Sequence, residues 1–345
     1  MKILVRGTNW IGDAVMTIPA LMELRRIFPG AHITLHIRSW AEGIFRNADY
    51  IDGILPIADE PAGVKGVVIQ ANALRAERFD LAIIFPGSYR SAAVARLAKI
   101  PRRFGYKGEG RKFLLSDRIR VPEWKSSRHE SMLYLGLVAE VERRILRTDS
   151  VRKSATKPII TVSNERKEAA HNYLRELGVD PALQKVIGIG VGSTNSMAKR
   201  WPAENFAKLI DELQDSGAKV LLFGSESESN ISQTVNSLSR SAAIDLTGKT
   251  SIAEVVQLMT ALDVFISNDM GLAHIAAAVG IPTRTIFGPT NPVTTAPLGI
   301  DSEIIREPVE CSPCMLRQCP IDHRCMTRIT VERVYDHARL SLGLL

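Results

Sequence analysis

The residues best suited to do chemistry stand in glycine-bearing loops that follow short β-rich runs. One reads Ser267-Asn268-Asp269-Met270-Gly271-Leu272-Ala273-His274 and enters a helix of small residues, Ile275-Ala276-Ala277-Ala278. Backbone N–H groups at such a helix start attract an anion, and Gly271 lets a ligand come close to the main chain. Asp269 fits the loop either as a ligand contact or as a plain N-cap, and His274 either as a pocket residue or as an ordinary core histidine. A second loop, Gly190-Val191-Gly192-Ser193-Thr194-Asn195-Ser196-Met197-Ala198-Lys199-Arg200-Trp201-Pro202, combines glycines, hydroxyls and the cations Lys199 and Arg200, a set that suits a diphosphate. It contains neither G-x-G-x-x-G nor G-x-x-x-x-G-K-[ST], which weakens a dinucleotide-dehydrogenase and a P-loop reading. In Phe223-Gly224-Ser225-Glu226 the carboxylate of Glu226 stands where a ribose diol could be held, or is simply an exposed acid at a helix start. Phe287-Gly288-Pro289-Thr290 could floor the same pocket. In the first half, Asp13 follows Gly12 at the start of the first helix, whose dipole favours its ionised form. There it can take a proton from a hydroxyl or serve as a cap.

These loops need strands and helices to position them, and the pattern supplies both. Ile3-Leu4-Val5 leads through Gly7-Thr8-Asn9-Trp10-Ile11-Gly12-Asp13 into a helix with apolar Val15, Ile18, Leu21, Met22, Leu24 and Ile27, ended by Pro29-Gly30. Pro19 lies inside that helix and should kink it. Strands follow at 33–37 and 81–85. The second half restarts with a strand at 157–162, a helix near 165–177 and a strand at 186–191, then strands at 220–223, 264–266 and 283–287. Alternating strands and helices imply parallel sheets, with ligand loops at the carboxyl ends of the strands. The polar stretch 147–157 reads as a linker. The expected organisation is therefore a domain over 1–155, a second over 156–330, an active site in the cleft between them, and a C-terminal helix over 331–345 that packs back on the first.

A chain of 345 residues with 45% hydrophobic and 23% charged residues fits two ordinary globular domains and no disordered or fibrous class. Its net charge is +7, and between Arg90 and Arg120 ten Lys/Arg stand against Glu109 and Asp117. That face meets an anionic partner or is merely solvated. The N-terminus lacks the pattern of a signal peptide, and no apolar run reaches the ~20 residues of a membrane span. The expectation is a cytoplasmic protein with at most peripheral membrane contact. A nucleic-acid partner is disfavoured, because the basic stretch has few aromatics and no recognition motif. Cys311-x2-Cys314-x4-Cys319-x5-Cys325, with His323 inside it, could be reduced structural thiols, a metal site of unusual spacing or a disulfide.

Taken together, Arg6-x5-Gly12-Asp13-x3-Thr17-x-Pro19, Lys199-Arg200-Trp201-Pro202, Asn268-Asp269-x-Gly271-Leu272-x-His274 and Phe287-Gly288-Pro289-Thr290 resemble glycosyltransferase family 9, the ADP-heptose:lipopolysaccharide heptosyltransferases. Cys311-Ser312-Pro313-Cys314 through Cys325-Met326, with His129-Glu130 ahead of Tyr134-Leu135, looks most like the heptosyltransferase II branch. The resemblance implies a GT-B fold of the α/β class, two Rossmann-like domains whose parallel sheets face each other across a cleft. It implies ADP-heptose in the C-terminal domain, held by Ser193, Thr194, Lys199, Glu226, Asp269, Met270, Gly271 and His274. It further implies Asp13 as the base of an inverting transfer, and a Kdo-lipid A acceptor bearing one heptose near Arg6, Asn9, Gly12 and Arg90. Met270 departs from the Ser or Thr of many relatives, so only its N–H could serve. No D-x-D motif is present, and the resemblance implies no required cofactor and no metal. An anionic inner-leaflet surface would face the basic stretch. The alternative is a GT-B transferase or epimerase acting on another nucleotide sugar.

Overall fold

Aliphatic and β-branched runs become the central strands of two parallel sheets. The computed structural model describes residues 1–57, 63–108, 110–152 and 156–343, and it divides into two units, Met1–Pro158 and Ile159–Leu345. The boundary expected at 155/156 touches residues 153–155, which lie outside the described residues, as do Glu109 and positions 344–345.

In the first unit β1 (Lys2–Arg6), β2 (His32–Arg38), β3 (Gly53–Ile57), β4 (Leu81–Ile84), β5 (Arg102–Tyr106) and β6 (Asp117–Ile119) lie in the order β3-β2-β1-β4-β5-β6. In the second, β7 (Val186–Gly190), β8 (Lys219–Leu222), β9 (Ile244–Asp245), β10 (Val264–Asn268), β11 (Thr283–Phe287) and β12 (Ser302–Arg306) lie in the order β12-β11-β10-β7-β8-β9. Read from the other edge, the second order is the first. Every pairing is parallel, so both units are doubly wound. Their topological switch points fall between β1 and β4 and between β7 and β10, where ligands of such sheets bind. β1, β4, β7 and β10 have buried interiors throughout, as central strands covered on both faces require.

Two local expectations are corrected. The first helix is two, Ile11–Met16 and Ile18–Ile27, broken at Thr17, whose hydroxyl donates to Ala14 O at 2.6 Å. Pro19 therefore sits in the first turn of the second helix, where its missing N–H is not needed. Residues 157–162 form no strand: Pro158 has no N–H for a ladder, and Ile160 N donates instead to Ala278 O at 2.9 Å. The C-terminal helix runs Val331–Leu342 and seats Val334, Ala338 and Leu342 in the second unit's own core, with Phe206 and Leu213. Buried Arg284 of β11 fastens it, donating to His337 O at 2.9 Å while its other nitrogens hold Asp301 at 2.8 and 3.2 Å. Among the described residues no helix is long and apolar enough to cross a membrane.

Candidate active site

The second unit's site is built at the carboxyl ends of β7 and β10. Asn268, the fully buried last residue of β10, accepts from Trp201 N at 2.9 Å and donates to Val191 O at 2.8 Å and Gly192 O at 3.2 Å. One amide thus ties the loop after β7 to the end of β10 at both of the loop's ends. Leaving these buried groups without partners would cost about 1–3 kcal/mol each. Next in sequence, Asp269 receives Lys199 Nζ at 2.7 Å and Thr290 Oγ1 at 2.7 Å, both on Oδ2. The helix Gly271–Val279 has Met270 as its N-cap residue and no side-chain cap. Asp269 is therefore not a cap; it joins the loops after β7, β10 and β11. Gly271 opens the helix, and His274 is buried one turn on. A Cβ on Gly190 would collide with the Met270 sulfur, so the Met270 side chain packs on the sheet end and only its main chain can meet an anion.

Ser193 is buried, and its carbonyl accepts from Arg200 Nη2 at 3.2 Å. Thr194 is exposed and donates to Glu228 Oε1 at 3.4 Å. Glu228 was not among the expected residues, although it shapes this corner. Buried, it accepts from Ser225 N at 2.8 Å and Ser225 Oγ at 2.9 Å, and it fills the space that a side chain at Gly192 would need. Glu226 lies exposed at the start of the short 3-10 turn Glu226–Glu228. The capping box Ser225-x-x-Glu228 was the readable signal. Asn268 and Thr290 were likewise inside quoted motifs, without a role that spacing could assign.

In the first unit Asp13 is half-buried in the first turn of Ile11–Met16, whose N-cap residue is Trp10. Tyr134 is pushed well above the usual phenol range, by burial first and then by the charges of Asp13 and Glu130. Its ring packs on Phe85 at 5.1 Å, which gathers Asp13, the end of β4 and the helix Ser131–Ile145. Arg6, the last residue of β1, is 8% exposed and donates only to neutral groups: Gly7 O at 2.7 Å, His36 O at 3.2 Å and Asn9 Oδ1 at 3.2 Å. Its Nε has no partner. Burial, then the charges of Arg38 and Arg90, lower its pKa to about 10, so it stays a cation at neutral pH. His36 beneath it is held neutral, its pKa lowered to about 3 by burial and then by Arg6. Arg6, Asn9 and Arg90 are thus brought together, with Arg38 as an unforeseen member; Gly12 lies on the helix that carries Asp13. Trp10, at the end of the loop after β1, and Tyr89, the first residue of the helix that follows β4, stand exposed.

The basic stretch is only partly a surface. Arg102 pairs with Asp117 at 2.7 Å, Arg103 donates to Leu114 O at 2.8 Å, and Arg111, 1% exposed, donates to Tyr106 O and also to Pro86 O. Cys311, Cys314, Cys319 and Cys325 are all free thiols. Among the described residues no group of three or more His, Cys, Asp or Glu is placed to hold a metal ion.

Comparison with known proteins places this architecture. The sequence profile of Glycosyltransferase family 9 (heptosyltransferase) matches residues 69–324. The chain is 30% identical over 315 residues to lipopolysaccharide heptosyltransferase 2 of Escherichia coli (strain K12), covering 89% of this chain and 88% of that one. It is 30% identical to lipooligosaccharide heptosyltransferase 2 of Haemophilus influenzae, with the same coverage. The solved structure of E. coli ADP-heptose lps heptosyltransferase II superposes with a TM-score of 0.85 at 28% identity, covering 99% of both chains. Two doubly wound units, loops gathered around Asp269 at the strand ends of the second, and these likenesses over nearly the whole chain make the protein a member of glycosyltransferase family 9, the heptosyltransferases.

Proposed function

We propose that the protein transfers an L-glycero-D-manno-heptosyl group from ADP-heptose, with inversion, to the heptosyl-Kdo inner core of lipopolysaccharide. The observation that carries the reading is the Lys199–Asp269–Thr290 cluster beside the start of helix Gly271–Val279, in a chain whose relatives are named heptosyltransferase 2. In the proposed reaction Asp13 takes the proton of the acceptor hydroxyl, whose oxygen attacks the anomeric carbon. The bond from that carbon to the phosphate oxygen breaks, and its electron pair leaves with ADP. Lys199, the hydroxyls of Ser193 and Thr194, and the main chain at Met270 and Gly271 meet the diphosphate; Glu226 reaches the ribose and His274 lines the sugar end. Lys199 is held by Asp269 until a diphosphate competes for it. With a cation, hydroxyls and a helix start available to the leaving group, no cofactor or metal ion is required. Excess chelator leaves turnover unchanged if this is right.

For the acceptor we assign Arg6, Asn9, Gly12 and Arg90. The support is Arg6 itself, a buried cation without a carboxylate among its hydrogen-bond partners and with two further arginines near it. An isolated buried charge is costly, and the phosphates and carboxylates of a Kdo-lipid acceptor would relieve it. The exposed Lys107, Lys112 and Phe113 suit peripheral binding at the anionic inner leaflet. The family relationship favours this reading over an epimerase or a transferase using another nucleotide sugar.

The deciding assay offers ADP-heptose and, separately, UDP-sugars to the purified chain with Kdo-lipid A bearing one heptose. Heptose transfer is expected from ADP-heptose alone; its absence sinks the proposal.

A further inference from the structure

The segment Cys311–Cys325 is the sequence feature that neither site absorbs, and its hydrogen bonds show what it holds. On one side it grips the loop after β7: Ala198 N donates to Arg317 O at 3.1 Å, and Ser196 Oγ lies 3.3 Å from the same carbonyl. On the other it grips the loop after β11: Ser312 Oγ donates to Gly288 O at 2.6 Å, and Met315 N to Pro289 O at 2.8 Å. Those two loops carry Lys199 and Thr290, the two donors to Asp269. A single segment therefore fixes both outer members of the cluster.

Its tightest contact comes from His323. The Nε2 of His323 lies 2.6 Å from Ala198 O. A carbonyl oxygen only accepts, so Nε2 carries the hydrogen and donates it. The residue is in the left-handed region at φ +57, a conformation costly to most side chains but tolerated by His and Asn. The short helix it begins, Arg324–Thr327, is anchored by buried Cys325 and Met326, which occupy the space beside Gly288. Ala198 O and Lys199 N belong to one peptide group, and Lys199 N in turn donates to Ser196 O at 3.2 Å. The plane from which the Lys199 side chain springs is thus pinned at both edges.

We infer that His323 is a positioning residue for the donor diphosphate: by holding the Ala198–Lys199 peptide it sets the Lys199 ammonium in its place beside Asp269. This rests on the reading of Lys199 as the diphosphate cation. The test measures ADP affinity by calorimetry and steady-state kinetics on the full chain, for His323→Asn and His323→Gln, each with and without Lys199→Ala. Asn keeps the left-handed backbone but is too short to reach Ala198, whereas Gln carries an N–H at the reach of Nε2. His323→Asn should weaken ADP binding about 10-fold, the scale of one lost hydrogen bond. KM for ADP-heptose should rise in step while kcat stays within about two-fold. His323→Gln should recover most of the loss, and His323→Asn should add nothing in the Lys199→Ala background. Unchanged ADP affinity in His323→Asn, or the same loss with Lys199 already absent, overturns the inference. If His323→Asn does not fold, His323→Phe, a ring without the N–H, takes its place in the same cycle. If Lys199→Ala itself leaves ADP affinity unchanged, it is the diphosphate reading of Lys199 that falls.

Discussion

The two units share one strand order, yet they prepare charge at their switch points in opposite ways. In the second, Lys199 is neutralised in advance by Asp269, whose side chain is only 7% exposed. In the first, Arg6 is buried among carbonyls and an amide, with Arg38 and Arg90 adding to its charge. A balanced site must exchange its internal carboxylate for a ligand, which makes binding reversible at modest cost. An unbalanced one holds electrostatic free energy that only an incoming anion can recover. In the proposed reaction, the same fold would thus offer a releasing site for a leaving group and a retaining site for an acidic acceptor.

The strongest way to break this contrast is at Asp13, the group that the proposed reaction requires in the first unit. Asp13→Asn should lower kcat by roughly 10²–10⁴-fold, the range of a lost general base, with ADP affinity unaltered by calorimetry. Retained turnover would remove Asp13 from its role. Next come the two cations. Lys199→Met leaves Asp269 buried beside Thr290 alone and should cost about 1–3 kcal/mol in urea unfolding besides weakening ADP. Arg6→Met should change stability by no more than about 1 kcal/mol, since removing a buried charge offsets its lost hydrogen bonds, and His36 O keeps Gly7 N as a donor at 3.0 Å. Its effect belongs in the acceptor, with KM raised about 10-fold or more, as for a lost charge-assisted hydrogen bond. Equal destabilisation by the two substitutions would erase the comparison.

The smallest effect concerns acid. Burial by itself would raise the Glu142 carboxyl, but hydrogen bonds from Ser150, Val151 and Thr148 outweigh it and hold the pKa at about 2, against an ordinary 4.5. A depressed carboxylate stabilises the fold above the ordinary value, and that contribution is lost as pH falls from 4.5 toward about 2. The first unit should therefore weaken across that window, and Glu142→Gln should flatten the dependence in a pH series of unfolding curves.

Much of this was legible in the sequence because aliphatic runs such as 3–5 and 81–84 can hardly be anything but buried strands, and glycine loops after such strands mark switch points. The misses share a cause: spacing does not say what a polar group turns toward. Arg111 reads as one more surface cation, yet it is spent on the carbonyls of Tyr106 and Pro86. Glu226 and Glu228 differ in sequence by two places, and only the fold decides that the second is buried and structural. Thr290 stood in a quoted motif, but its bond to Asp269 spans the ends of two adjacent strands. Lys157-Pro158-Ile159-Ile160 has the composition of a strand, and one missing N–H is enough to leave it outside the sheet.

The packing of Met270 over Gly190 bears on how such sequences diverge. A Cβ at 190 would lie 2.5 Å from the Met270 sulfur and 2.9 Å from Ser267 Cβ, so the space above the end of β7 has no room for a side chain from position 190. Glycine should therefore persist at 190 whichever residue stands at 270. A lineage that exchanges the long thioether for a small hydroxyl relieves only the first of these contacts, and Ser267 Cβ still closes position 190. Position 270 is thereby free to vary over a fixed glycine, and ancestral reconstruction of the two positions would reveal it.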